Sequence, residues 1–72
     1  MAAPVNLSVI VNGTAMELPE GTTIAGLLKL LEMDSLLVAV EQNREIVPKP
    51  EFQSREVFPD DRIEIVHFVG GG

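Results

Sequence analysis

Three consecutive glycines, Gly70, Gly71 and Gly72, close the sequence directly after a stretch with strand character. Glycine carries the largest backbone-entropy cost on ordering, and it propagates a sheet poorly. Folding alone therefore does not explain them. A terminus without side chains can enter a narrow channel and bring its carboxylate to a reactive atom in another protein's site. The alternative is a frayed chain end.

The side chains offer no recognised catalytic group. His67 is the only histidine and cysteine is absent, so neither a nucleophile–base dyad of the usual kind nor a thiolate or multi-histidine metal site can form. We expect His67 on a strand with its ring at the surface, and a partner contact is the alternative. Neither a P-loop nor a G-x-G-x-x-G motif occurs, so the sequence predicts no bound metal or nucleotide cofactor.

Carboxylates cluster in the second half of the sequence and raise the question of metal binding or acid–base chemistry. We expect a solvated acidic surface instead. Two of them are adjacent after a proline, a common turn composition. The residues concerned are Glu41, Glu45, Glu51, Glu56, Asp60 and Asp61.

Length and charge limit the remaining possibilities. The 72 residues (7.8 kDa) suffice for one small domain, which we assign to residues 1–69, with residues 70–72 as a flexible tail. The net charge of −6 disfavours nucleic acid and anionic membranes and favours a basic partner surface. No targeting segment or apolar run of about 20 residues is visible, so we expect a cytoplasmic protein.

The first third of the sequence predicts a β-hairpin. Residues 5–11, VNLSVIV, alternate apolar and polar side chains as a half-buried strand does. Asn12-Gly13 supplies a pair suited to positive φ, which a tight hairpin turn requires. Residues 14–18 alternate again and form the returning strand, which Pro19 should end.

One amphipathic helix follows. Thr22 or Thr23 can cap it, and Asp34-Ser35 should end it. Gly26 costs roughly 1 kcal/mol relative to alanine inside a helix, which suggests close packing against the sheet. The apolar positions recur at i, i+3, i+4 and i+7, namely Ile24, Leu27, Leu28 and Leu31.

The second half predicts more strands. They lie at residues 37–41, 45–47 and 62–69, with an Asn43-Arg44 turn between the first two. Residues 49–54 should be irregular or a single helical turn, with Phe52 as the anchor to the core. Residues 55–58 should add no more than a bridge, and Pro59-Asp60-Asp61 should form a turn.

This order of elements predicts an α+β fold in which a mixed sheet curls over one main helix, the β-grasp (ubiquitin-like) arrangement. The last strand should lie centrally and parallel to the first, because the intervening residues supply the long crossover that parallel pairing needs. A ferredoxin-like fold is the competitor, but only one good helix pattern exists.

Five blocks of sequence carry a resemblance to a known family. The chain resembles the ubiquitin-like sulfur carriers of prokaryotes (the MoaD/ThiS family), and within them the ThiS-type carriers of thiamine biosynthesis. The Asn-x-x-Ile-Val-Pro segment favours the ThiS type. The blocks are residues 11–13 (VNG), 19–24 (PEGTTI), 38–48 (VAVEQNREIVP), 59–65 (PDDRIEI) and 69–72 (VGGG).

The resemblance implies that the chain is a protein cosubstrate and not an enzyme. An E1-like (ThiF-type) adenylyltransferase would use ATP and Mg²⁺ to adenylate Gly72. A sulfur donor protein would then leave a thiocarboxylate, and a thiazole synthase (ThiG-type) would receive the sulfur. Gly70 and Gly71 would supply reach.

By the same resemblance Phe68, Val69 and Ile46 are candidates for partner docking, although each fits a core position equally well. Glu64 and Asp60 are candidates for steering a basic enzyme surface. Open alternatives are the small subunit of molybdopterin synthase, a carrier for tRNA thiolation or cysteine synthesis, a protein modifier, and a plain β-grasp interaction module.

Overall fold

The computed structural model describes residues 5–68, which form five strands, one α-helix and two short 3₁₀ helices. The 3₁₀ helices lie at Ser35–Leu37 and Lys49–Glu51. The other elements are β1 (Asn6–Val11), β2 (Thr14–Pro19), α1 (Ile24–Leu30), β3 (Val38–Gln42), β4 (Glu45–Ile46) and β5 (Arg62–His67).

The sheet is mixed, and its order is β2-β1-β5-β3-β4. β5 pairs parallel with β1 and antiparallel with β3, which confirms the predicted central place of the last strand. The parallel contact is lengthened by a side chain. The amide of Ile65 donates to Asn12 Oδ1 (2.7 Å), and Asn12 Nδ2 donates back to the Ile65 carbonyl (3.3 Å), so Asn12 pairs with β5 after β1 has ended.

Both predicted tight turns are confirmed. Asn12 and Gly13 have φ of 49° and 82°, and Asn43 and Arg44 have φ of 52° and 70°, the left-handed pairs that two-residue hairpins require. β2 continues through Pro19, which the sequence placed outside it. β2 is an edge strand, where a missing amide donor is tolerated.

The helix begins as predicted and ends early. Thr23 caps it, and its Oγ1 accepts from the Gly26 amide at 3.1 Å. The prediction that it extends to Asp34-Ser35 is wrong, because α1 ends at Leu30. Glu32 adopts a positive φ of 57° and its amide donates to the Lys29 carbonyl, while the Met33 amide donates to that of Leu28. These two bonds form a Schellman motif, which usually carries glycine where Glu32 stands.

Gly26 does not pack against the sheet, and that expectation is also wrong. A Cβ at this position would meet only the side chains of Thr22 and Thr23, each at 3.5 Å. The residue therefore lies against the helix cap.

The core lies between α1 and one face of the sheet, here called the inner face; the opposite face is the outer face. Phe52 is buried and anchors the segment after β4, as predicted. Residues 55–58 add only the bridge between Thr23 and Glu56, also as predicted. The buried cluster comprises Leu7, Val9, Val11, Leu18, Ile24, Leu27, Leu28, Val38, Val40, Val47, Phe52, Val57, Ile63 and Ile65.

Candidate functional site

The residues predicted to react lie beyond the described part of the chain: Gly70, Gly71 and Gly72, together with the docking candidate Val69. The structure does show what leads to them. β5 ends at His67, and the Phe68 amide then donates to the Leu37 carbonyl at 2.7 Å. The end of β5 at His67 and Phe68 is called the exit end below. Backbone bonding to the segment that precedes β3 thus continues to the residue before Val69.

Phe68 has a specific neighbour at the exit end. Its side chain is half exposed and stands outside the buried core. The ammonium nitrogen of Lys49 lies 5.6 Å from the centroid of its ring and 5.9 Å from that of Phe52, within the range of a cation–π contact. Lys49 Nζ also donates to the carbonyls of Val38 (2.7 Å) and Ser35 (3.1 Å). One side of the Phe68 ring therefore has a charged partner, and half of its surface stays accessible.

Ile46 is also accessible, being 73% exposed. It lies opposite Glu41, and Glu41 lies opposite Glu64, so Ile46 belongs to the outer face and aligns with the middle of β5. The structure thus exposes both Phe68 and Ile46. Phe68 follows the end of β5, whereas Ile46 aligns with Glu64 in the middle of that strand.

Val66 is an exposed apolar residue that sequence reasoning missed. It is 59% exposed and lies opposite Ala39, on the same face as Ile46. The signal was available, because the alternation that buries Ile63 and Ile65 turns Val66 outward. Val66 lies beside Ala39, and Ile46 lies on the same face but two residues along, in the row of Glu41 and Glu64; Val66, Ala39 and Ile46 are together called the outer strip.

Charges border this strip unevenly. Glu41 and Glu64 are exposed in the row that contains Ile46 and lie beside Ala39 and Val66, as expected of residues that could meet a basic surface. Asp60 is also exposed, but it precedes β5 and so lies at the end remote from the exit. His67 is exposed at the exit end, as predicted. Of the two proposed steering residues, Glu64 is therefore the better placed.

Asp61 corrects the expectation of a uniformly solvated acidic surface, because it is buried. Its carboxylate accepts from Asn43 Nδ2 (2.9 Å), the Phe58 amide (2.9 Å) and Gln42 Nε2 (2.7 Å). Burial alone would raise the pKa of Asp61, but the hydrogen bonds from Asn43, Phe58 and Gln42 outweigh it, so the pKa lies below its ordinary value. The amide of Arg62 donates to Asn43 Oδ1 (3.0 Å), which ties the start of β5 to the β3–β4 turn.

The other five carboxylates of that set are exposed, as predicted. Among residues 5–68, no group of three or more His, Asp or Glu side chains is arranged to hold a metal ion. The helix in this part of the chain is too short to cross a bilayer. Cytoplasmic location stays a prediction.

The sheet order, the single helix across the inner face and the exit of β5 toward three glycines define a β-grasp domain. The crystal structure of a thiamine biosynthesis protein (ThiS) from Geobacter metallireducens superimposes with a TM-score of 0.79 at 29% identity, over 92% of this chain and all of that one. The model of the ThiS family matches residues 9–72. The chain belongs to the ThiS family.

Individual relatives support membership of this family. A sulfur carrier protein ThiS of Bacillus subtilis is 46% identical over 50 residues, which cover 69% of this chain and 76% of that protein. A thiazole synthase of Paramagnetospirillum magneticum is 41% identical over 66 residues, and one of Magnetococcus marinus is 38% identical over 66. The match covers 92% of this chain but only about a fifth of each synthase.

Proposed function

We propose that this protein is a sulfur carrier whose Gly72 carboxylate is adenylated by an E1-like (ThiF-type) enzyme and converted to a thiocarboxylate, which supplies sulfur to a thiazole synthase. The observation that carries the proposal is the family match, which extends through Gly72. The described structure supports it, because β5 lies at the centre of the sheet and directs the chain toward the three glycines.

The chemistry explains why a second protein is needed. A carboxylate is a poor electrophile until one of its oxygens becomes part of a good leaving group. Attack of the Gly72 carboxylate on the α-phosphorus of ATP would release pyrophosphate and form an acyl-adenylate. The terminal sulfur of a persulfide on the donor protein would then displace AMP to form an acyl disulfide, and attack of a thiol on the donor's sulfur would break the S–S bond and release the Gly72 thiocarboxylate. The chain has no nucleotide-binding motif, so we assign ATP and Mg²⁺ to the adenylating partner, and the carrier is a cosubstrate.

The thiazole synthase relatives support the assignment of the acceptor. Two proteins of that name contain a segment similar to nearly this whole chain. Covalent linkage raises the effective concentration of one component at another, which is useful where a carrier serves that enzyme. The same observation favours thiamine over molybdopterin as the destination. We place the reaction in the cytoplasm, where ATP is available.

Docking would use the surface beside the exit end. The outer strip and the exposed half of Phe68 provide apolar area, to which we add Val69 as a proposed contact. Glu41 and Glu64 border the strip and would orient a basic partner surface. Apolar anchors within a charged rim are the usual composition of such interfaces.

The test is intact-mass analysis after incubation with a ThiF-type enzyme, ATP, Mg²⁺ and a sulfur donor. The wild-type protein should gain the mass that replaces one oxygen by sulfur. A chain lacking Gly72 should melt like the wild type, gain no sulfur and fail to support growth without thiamine. Lys29→Ala, a change on the exposed side of α1, is the matched control and should behave as wild type.

Two results would contradict the proposal. Covalent attachment of the wild-type chain to larger proteins would identify a protein modifier. If the chain lacking Gly72 abolished molybdoenzyme activity but supported normal thiamine synthesis, the protein would be the molybdopterin carrier. The mass of the purified protein also checks that the chain ends at Gly72, which the chemistry requires.

A further inference from the structure

Lys49 occupies a position that a backbone amide would otherwise take. β4 pairs with β3 at Glu45 and Ile46, and the next amide of that ladder, Val47, donates to the Val40 carbonyl at 2.9 Å. The same register would bring residue 49 opposite Val38. Pro48 precedes the turn into the second 3₁₀ helix, and the Lys49 side chain donates to the Val38 carbonyl instead. The ammonium group therefore pairs a β3 carbonyl that β4 is too short to reach.

The same ammonium group links three segments that meet at the exit end. It bonds the first 3₁₀ helix through the Ser35 carbonyl and β3 through Val38, and it faces the ring of Phe68. The backbone amide of Phe68 donates separately to the Leu37 carbonyl. Phe68 is thus held by its backbone and by its ring at the point where the chain proceeds to residues 69–72.

We propose that Lys49 is a positioning residue for the reactive terminus. By holding the Phe68 ring against the start of β3, it sets the direction in which the chain leaves the sheet. Lys49 is not a catalytic residue, since it acts through Phe68. The proposal rests on the proposed function insofar as the terminus is the substrate of an adenylating enzyme.

The physical basis is preorganisation. A short reactive segment reaches a partner's site more often in the productive geometry when its attachment point is fixed, because less conformational freedom is lost at that step. The outer strip lies on β3, β4 and β5 outside these contacts, and a change at Lys49 keeps the Phe68 ring itself as apolar area for docking. A change at Lys49 should therefore affect turnover more than docking.

The test compares Lys49→Met with Lys29→Met in the full chain. Both remove one exposed lysine charge and keep similar length, but only the first removes the contacts to Phe68. For Lys49→Met we expect the hydrogen-exchange rate of the Phe68 amide to rise about tenfold. In steady-state adenylation, we expect kcat to fall about fivefold with KM nearly unchanged. Lys29→Met should match the wild type in both, and Lys49→Arg should recover most of the loss because it keeps a cation that can face the Phe68 ring.

A double-variant cycle shows whether the two residues act together. Phe68→Leu removes the ring and leaves the two carbonyl bonds of Lys49 in place, so it also serves if Lys49→Met folds poorly. If Lys49 acts through the ring, the double variant should lose no more kcat than the larger single loss.

Each contrary outcome is specific. Unchanged Phe68 exchange in folded Lys49→Met would show that the contact does not hold the exit end. Faster exchange with unchanged kcat, or additive losses in the double variant, would overturn the positioning role. If wild-type protein is not adenylated at all, the proposed function fails, and the exchange measurement still decides whether Lys49 fixes Phe68.

Discussion

The two ends of β5 are held in different ways. At its start, a buried carboxylate on Asp61 collects three directed hydrogen bonds, and Asn43 pairs with both backbone groups of Arg62. At the exit end, one backbone bond and the Lys49 ammonium hold a half-exposed Phe68. The start is fixed by buried, geometrically demanding contacts, whereas the exit end combines a few contacts with accessible apolar surface.

Under the proposed function, this difference separates folding stability from partner binding along a single strand. Removing a buried hydrogen-bonded charge leaves donors unpaired, which is costly to folding. Removing an exposed apolar or aromatic group costs folding little but takes away contact area for a partner. Substitutions at the two ends should therefore have opposite signatures.

The largest expected effect is at the start of β5. Asp61→Ala removes the acceptor of three hydrogen bonds and leaves their donors in a buried site, so we expect a loss of about 3 kcal/mol in the free energy of unfolding. Urea denaturation followed by circular dichroism measures it. Asp60→Asn is the matched control, since Asp60 is exposed at φ 67°, which asparagine tolerates. If Asp61→Ala kept normal stability but lost adenylation, the assignment of this end of β5 to stability would be wrong.

An intermediate effect is expected on the outer strip. Ile46→Asp places a charge in the proposed docking surface, and it should raise KM for adenylation about tenfold while leaving the melting temperature nearly unchanged. Leu30→Asp is the control, because Leu30 is also an exposed apolar residue but lies on α1, away from the outer strip. It should not change KM. Equal effects of the two variants would show that the outer strip is not the docking surface.

The smallest effect is a change in pH dependence. The pKa of Asp61 is lower in the folded chain than its ordinary value, so its contribution to stability is full above about pH 4 and is lost as the pH falls through the folded pKa. Asp61→Asn should flatten this acid limb of the unfolding free energy, whereas Asp60→Asn should retain it. Denaturation midpoints measured between neutral and acidic pH compare the slopes, and equal slopes for both variants would contradict the assignment.

The strands and the helix start were predictable because their signals are local. Alternation located β1, β2 and β5, and Thr22 or Thr23 was predicted as the cap, which the structure assigns to Thr23. The helix end was not, because Glu32 rather than glycine occupies the left-handed position of the Schellman motif. A residue that rarely adopts this conformation gives no stop signal.

At the candidate site, contacts between residues far apart in the sequence could not be predicted. Asp60 and Asp61 are equivalent in sequence, and only the fold brings Gln42 and Asn43 to the second of them. The role of Lys49 likewise depends on Phe68, which follows it by nearly twenty residues. Val66 is different, since its outward position follows from the alternation of β5 alone. Gly70, Gly71 and Gly72 were singled out from the sequence because their proposed role needs no side chain, and since they lie outside residues 5–68 that role stays a prediction.

The central place of β5 also bears on how the protein is made. β1 and β2 lie on one side of it and β3 and β4 on the other, so the two halves of the sheet cannot join until residues 62–67 have left the ribosome. A nascent chain stopped earlier lacks the strand that unites them, and it would expose both halves to aggregation or degradation. Formation of the complete sheet therefore requires nearly the whole sequence, up to the residues that precede the glycines.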